Sequence, residues 1–120
     1  MKHRRLIAPL IVVGMLAAIA GPASAATTLK GTVGPGFTIS LTKDGRKVTS
    51  LTAGTYRIVV TDRSSAHNFV LEGPGISGDD VMTGVSETGK KTVTVRLLKG
   101  TYRYYCEPHA TSMKGTFKVV

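Results

Sequence analysis

Cys106 is the only cysteine of the chain, and it stands in the run Tyr104-Tyr105-Cys106-Glu107-Pro108-His109-Ala110-Thr111-Ser112-Met113. His109 follows the thiol by three positions and Met113 follows the imidazole by four. One thiol, one imidazole and one thioether on a single short loop form a soft, mixed donor set, which suits copper better than other common biological metals. Residues at i and i+3 of a turn approach within about 7 Å at their Cα atoms, so Cys106 and His109 can face one centre if the chain turns at Glu107-Pro108. Met113 can loop back from the other side as a long, weak axial contact. Such a site needs a second imidazole from upstream. Past Ala25 only His67 and His109 are available, so one His-His-Cys set with a nearby methionine uses every cysteine and histidine there.

The segment up to Ala25 reads as an address. Lys2, His3, Arg4 and Arg5 precede the apolar run from Leu6 to Ala20, Gly21-Pro22 breaks it, and Ala23-Ser24-Ala25 offers small residues for a signal peptidase. The apolar run is short for a spanning helix. The expectation is a secretory signal over 1–25, followed by one domain over 26–120 in a periplasm or at the cell exterior, with no membrane anchor after cleavage. Removing Lys2, Arg4 and Arg5 leaves thirteen basic residues against seven acidic, a net +6. That charge favours an acidic docking partner. No basic cluster is interleaved with aromatics, which argues against nucleic acid.

A lone cysteine in an exported chain leaves three fates: an intermolecular disulfide, a buried inert thiol, or a metal-bound thiolate. Zinc is a rival metal, for which Glu107 could serve as a fourth donor. A cysteine–histidine hydrolase would need an orienting carboxylate, for which Asp62, Asp79 and Asp80 are candidates. No glycine-rich oxyanion loop or helix start precedes the thiol, however. No catalytic residue is assigned, and the expectation is a protein that is not an enzyme.

The elements that must hold these donors are strands. Leu29, Gly31 and Val33 alternate with polar residues, as do Phe37, Ile39 and Leu41, then Tyr56, Ile58 and Val60, then Val93, Val95 and Leu97. Asp44-Gly45 stands where a hairpin turn belongs. A strand is expected over Ala66 to Glu72, carrying His67 and Phe69, another over Thr101 to Cys106, and a last one over Thr116 to Val120. Ile76 to Lys90 reads as a long connection. No helical apolar period appears beyond Ala25. Seven to eight short strands with turn signals between them predict an all-β Greek-key sandwich.

The segments Ala66-His67-Asn68-Phe69 and Gly100-Thr101-Tyr102-Arg103-Tyr104-Tyr105-Cys106-Glu107-Pro108-His109, followed by Met113, resemble those of small type 1 (blue) copper proteins of the plastocyanin/azurin family, the cupredoxins. The resemblance implies His67, Cys106 and His109 as equatorial ligands of one mononuclear copper ion and Met113 as the axial one. It implies that Asn68 ties the two ligand segments together near the Cys106 sulfur, and that Tyr102 is a structural corner tyrosine. It further implies single-electron transfer to a protein redox partner, with His109, Pro108 and Ala110 at an apolar exit; nothing in the sequence demands more than a monomer. The gap between His109 and Met113 departs from the plastocyanin spacing. Met82 is the other methionine past Ala25, and a surface or packing role is expected for it. A copper carrier or buffer, and a metal-free interaction module, are the alternative functions.

Overall fold

A computed structural model describes residues 14, 25–77, 79–81 and 83–120. The expected secretory signal lies almost wholly outside the described residues, as does Met82. The elements are β1 (Thr27–Val33), β2 (Ile39–Lys43), β3 (Arg46–Lys47), β4 (Ser50–Leu51), β5 (Gly54–Asp62), β6 (Val70–Glu72), β7 (Gly89–Leu97), β8 (Gly100–Tyr105), a single 3₁₀ turn (Glu107–His109) and β9 (Lys114–Val119). Alternation in sequence becomes alternation in burial. In β5, Tyr56, Ile58, Val60 and Asp62 point inward while Thr55 and Arg57 face out.

The strands form a five-stranded sheet, β3-β2-β1-β5-β7, and a four-stranded sheet, β4-β9-β8-β6. Most neighbours are antiparallel, but β1 runs parallel to β5 and β4 parallel to β9. Leu29, Leu41, Ile58, Val60 and Leu97 from one sheet meet Leu71, Tyr102, Tyr104 and Phe117 from the other in a shared core. Phe69 stacks on Tyr104 with centroids 5.8 Å apart, and Tyr102 stacks on Phe117 at 5.3 Å. This is the expected all-β sandwich. The described strands number nine because the segment after the first hairpin divides. Arg46–Lys47 pairs with β2, whereas Ser50–Leu51 crosses to pair with β9.

Asp44 and Gly45 both take positive φ, 50° and 78°, between the paired residues Lys43 and Arg46. That is the type I′ hairpin whose twist matches its flanking strands. At the same end of the sandwich, the Tyr102 hydroxyl donates to the Pro74 carbonyl and accepts from the Leu98 N–H at 2.9 Å. Gly115 lies directly opposite Tyr104, and a Cβ there would collide with the phenol ring. Glycine is therefore required where the Tyr104 ring of β8 crosses β9.

Three local expectations are corrected. His67 is not on a strand, because β6 begins at Val70. The two backbone N–H groups before that strand turn to side chains instead of a ladder, Asn68 N–H to Cys106 Sγ and Phe69 N–H to Thr83 Oγ1. Cys106 likewise stands just past β8, which ends at Tyr105. Phe37 does not share the inward face of Ile39 and Leu41. It precedes β2 and is 71% exposed.

Candidate metal centre

The donors gather where β8 ends and β9 begins. The connecting loop is closed by its own backbone. Cys106 N–H donates to Met113 O at 3.0 Å, His109 N–H to Cys106 O at 3.1 Å, and Met113 N–H to His109 O at 2.8 Å. Pro108 sits inside the 3₁₀ turn, where its fixed φ suits the tight geometry. These bonds turn the His109 ring back toward the Cys106 thiol.

His67 comes from a separate segment. The Asn68 N–H points at Cys106 Sγ from 3.5 Å. The Asn68 side chain donates through Nδ2 to Glu107 Oε1 at 2.9 Å and to Thr83 O at 3.3 Å, and accepts from Glu107 N–H at 2.8 Å. A single buried amide thus clamps the His67 segment to the Cys106 loop. Behind it, Thr83 Oγ1 accepts from Phe69 N–H at 2.8 Å and donates to Asp62 Oδ2 at 2.9 Å, while Asp62 Oδ1 accepts from Ser64 N–H at 3.1 Å. Asp62 is 3% exposed, and each of its carboxylate oxygens has a partner. That satisfaction is what allows a carboxylate to be buried.

The outcome is a small triangle of donor atoms. His67 Nδ1 and His109 Nδ1 are 3.0 Å apart, and each lies 3.7 Å from Cys106 Sγ. A point in the plane of the three atoms and equidistant from them lies about 2.0 Å from each, near the bond lengths that imidazole and thiolate make to a d-block ion. A trigonal His₂Cys site places three such donors around one ion. Cys106 is fully buried, His67 is 4% exposed and His109 is half-buried. Met113 is 1% exposed and bonded through its backbone to both Cys106 and His109.

Glu107, the possible fourth donor for zinc, has Oε1 committed to Asn68 and stands outside the grouped donors. Two of the three carboxylates that a hydrolase could use, Asp62 and Asp80, are engaged elsewhere. Asp62 binds Ser64 and Thr83, and Asp80 Oδ2 accepts from Ser77 N–H. None of these bonds orients either imidazole.

Phe37 completes the mouth. Its ring meets His67 and His109 edge-on, with centroids 5.0 and 4.9 Å away. Gly34 and Gly36, at φ 69° and 70°, bend the loop that carries it, and Gly34 N–H is tied to Thr38 O at 2.8 Å. Sequence alternation groups Phe37 with Ile39 and Leu41 on one strand face. The flanking Gly34-Pro35-Gly36 was the available sign that the strand had not yet begun. Asp62 and Thr83 are well separated in the chain, and their pairing carried no local signal.

Burial raises the Tyr104 phenol above its usual pKa, and a backbone hydrogen bond at Leu41 opposes this. Burial also raises Tyr105, reinforced by its hydrogen bond to Glu72 at 3.1 Å and by the charge there. Both phenols are protonated at neutral pH, and the Tyr105 hydroxyl acts as the donor to Glu72 Oε2.

Residues 42–120 match the family described as copper binding proteins of the plastocyanin/azurin family. Several solved structures share the fold. One is a structure of the copper protein rusticyanin, 21% identical, with a TM-score of 0.59 over 82% of this chain and 80% of that one. Rusticyanin from Thiobacillus ferrooxidans gives 24% identity and 0.58 over 82% and 79%. Reduced rusticyanin in solution gives 26% and 0.55 over 78% and 76%. No curated protein sequence matches the chain. The chain belongs to the plastocyanin/azurin family of copper-binding proteins, and its His67–Cys106–His109 group fits one type 1 copper ion.

Proposed function

We propose that this cupredoxin is exported and carries single electrons between protein partners, through one copper ion held by His67, Cys106 and His109 with Met113 as the axial ligand. The observation that carries the reading is the convergence of two Nδ1 atoms and one Sγ, at 3.0 Å between the nitrogens and 3.7 Å from each to the sulfur. Bound copper supplies a couple between Cu(II) and Cu(I), which thiolate and imidazole donors together accommodate.

The chain's part is to hold the donors still, keep water out and leave one edge open. The loop bonds and the Asn68 clamp fix Cys106 and both rings through protein contacts alone. Preorganised donors need little rearrangement when the charge at the site changes. The Asn68 N–H lies on the Cys106 sulfur, where a hydrogen bond tunes the potential. The half-buried His109 ring, with Phe37, Pro108 and Ala110 around it, is the route by which an electron leaves. In the exported form, the positive net charge favours an acidic docking partner, and the association rate falls as salt rises.

Adding Cu(II) to the purified protein yields an intense blue charge-transfer band, which Cys106→Ser abolishes. A colourless product from the parent chain overturns the reading. Met113→Leu keeps the band and raises the potential, because a donor to the oxidised ion has been removed; an unchanged potential removes Met113 from the ligand set. Fast reversible voltammetry separates electron transfer from copper carriage. N-terminal sequencing of the exported protein should begin at Ala26, and a retained Met1 excludes the signal assignment.

A further inference from the structure

The charged residues on the outer face of the five-stranded sheet are all cations. The pairing register lays out its residues in four cross-strand rows. Nearest the metal end, Ser40, Thr32, Thr61 and Lys90 lie side by side. Next come Lys47, Thr42, Lys30, Val59 and Thr92. Thr28, Arg57 and Thr94 follow, and then Thr55 and Arg96. These fourteen positions hold five cations, eight hydroxyl residues, one valine and no carboxylate. All five cations are exposed. Asp62, the one acidic residue of β5, points inward, and Asp44 sits on the hairpin tip between Lys43 and Arg46.

The outer face of the other sheet differs. Arg103 lies 4.5 Å over the Tyr105 ring and bonds Ala110 O at 2.9 Å, and Tyr105 bonds Glu72. There the charge is of mixed sign and partly engaged.

We propose that the outer face of the five-stranded sheet is a docking surface for an anionic lipid membrane. Charge complementarity selects an anion, and the make-up of the face selects the kind. It offers no aromatic anchor, and its one apolar residue, Val59, is half-buried. Protein interfaces concentrate their energy in a buried apolar or aromatic centre, which this face lacks. Anionic headgroups diffuse laterally and gather beneath scattered cations, and each Lys or Arg at such a surface contributes on the order of fivefold in affinity. The intervening hydroxyls can donate to phosphate oxygens. Docked this way, the chain lies on the flat of its sheet. The imidazole-bearing end, at the edge of the sandwich, remains free toward partners moving in the membrane plane. Association is reversible, and the inference does not depend on the metal.

The test uses protein purified from an exporting host, in the processed form which that host releases. Co-sedimentation is measured with phosphatidylcholine vesicles containing about 30% phosphatidylglycerol and with phosphatidylcholine alone. Binding is expected to the anionic vesicles only, weakening steadily with salt. Arg57→Glu/Arg96→Glu should lose at least about tenfold in vesicle affinity, with circular dichroism unchanged. Arg57→Gln/Arg96→Gln, should the reversal fail to fold, should lose a smaller but measurable factor. Lys99→Glu/Lys118→Glu alters net charge equally away from this face and should lose much less. Equal losses in the two reversal variants, or equal binding to both vesicle types, overturn the proposal. So does retention on an acidic protein without vesicle binding, which would give the face to a protein partner.

Discussion

The two ends of the sandwich solve the same problem differently. Where strands stop, backbone groups lose their ladder partners and must find others. At the Asp44-Gly45 end the chain does this economically, with one two-residue turn and two phenols, Tyr102 serving Pro74 and Leu98 and Tyr56 serving Thr52. At the metal end the strands stop early, and a connected set of polar side chains takes over. Asn68, Thr83, Asp62 and Glu107 are joined to one another and to backbone groups. The difference shows what placing donors requires. An imidazole held in the ladder would alternate in or out with the strand, whereas one held by side chains can be aimed at a thiol.

Substitutions at the two ends should therefore behave differently. Asn68→Ala removes three hydrogen bonds and is expected to cost about 3 kcal/mol of stability and about 10–100-fold in copper affinity, read by denaturant melts and competitive copper titration. Thr83→Val leaves Asp62 Oδ2 and the Phe69 N–H unpaired behind the clamp, and should cost about 2–3 kcal/mol with a smaller change in copper affinity. Tyr102→Phe strips partners from Pro74 and Leu98 and should cost about 1–2 kcal/mol while leaving copper affinity as it was. A copper-affinity loss in Tyr102→Phe as large as in Asn68→Ala would abolish the contrast, since distant independent sites do not couple. The smallest effect belongs to Tyr104. Its pKa is raised in the fold, so its contribution to stability is complete below the unfolded value near 10 and is lost as pH rises through the higher folded value. Tyr104→Phe should flatten that alkaline decline in a series of melts.

Legibility in sequence followed how local each signal was. The strands could be read because alternation is a neighbour-to-neighbour pattern, and the hairpin because Asp-Gly is a two-residue code. Cys106 and His109 stood out together because a single turn separates them, and His67 because few other donors exist in the chain. Phe37 escapes the pattern because its parity with Ile39 continues beyond the true start of β2. The apparent strand likewise extends back over His67, ahead of its true start at Val70. The clamp joins Asn68 to Glu107, and the buried carboxylate behind it joins Asp62 to Thr83. Polar side chains so far apart in the chain leave no periodic trace.

The parallel pairing of β4 with β9 has a consequence in time. Ser50 pairs with Lys118, in the last strand of the chain, and closing so long a loop is entropically slower than closing a hairpin. The β1–β2 hairpin can form early, but the four-stranded sheet awaits that last strand. Cys106 lies in the loop of the β8–β9 hairpin, so its closure with His109 and Met113 is local and does not depend on that long-range pairing. One half of the donor set is thus a local product of the chain, whereas His67 joins it only through contacts made across the sandwich.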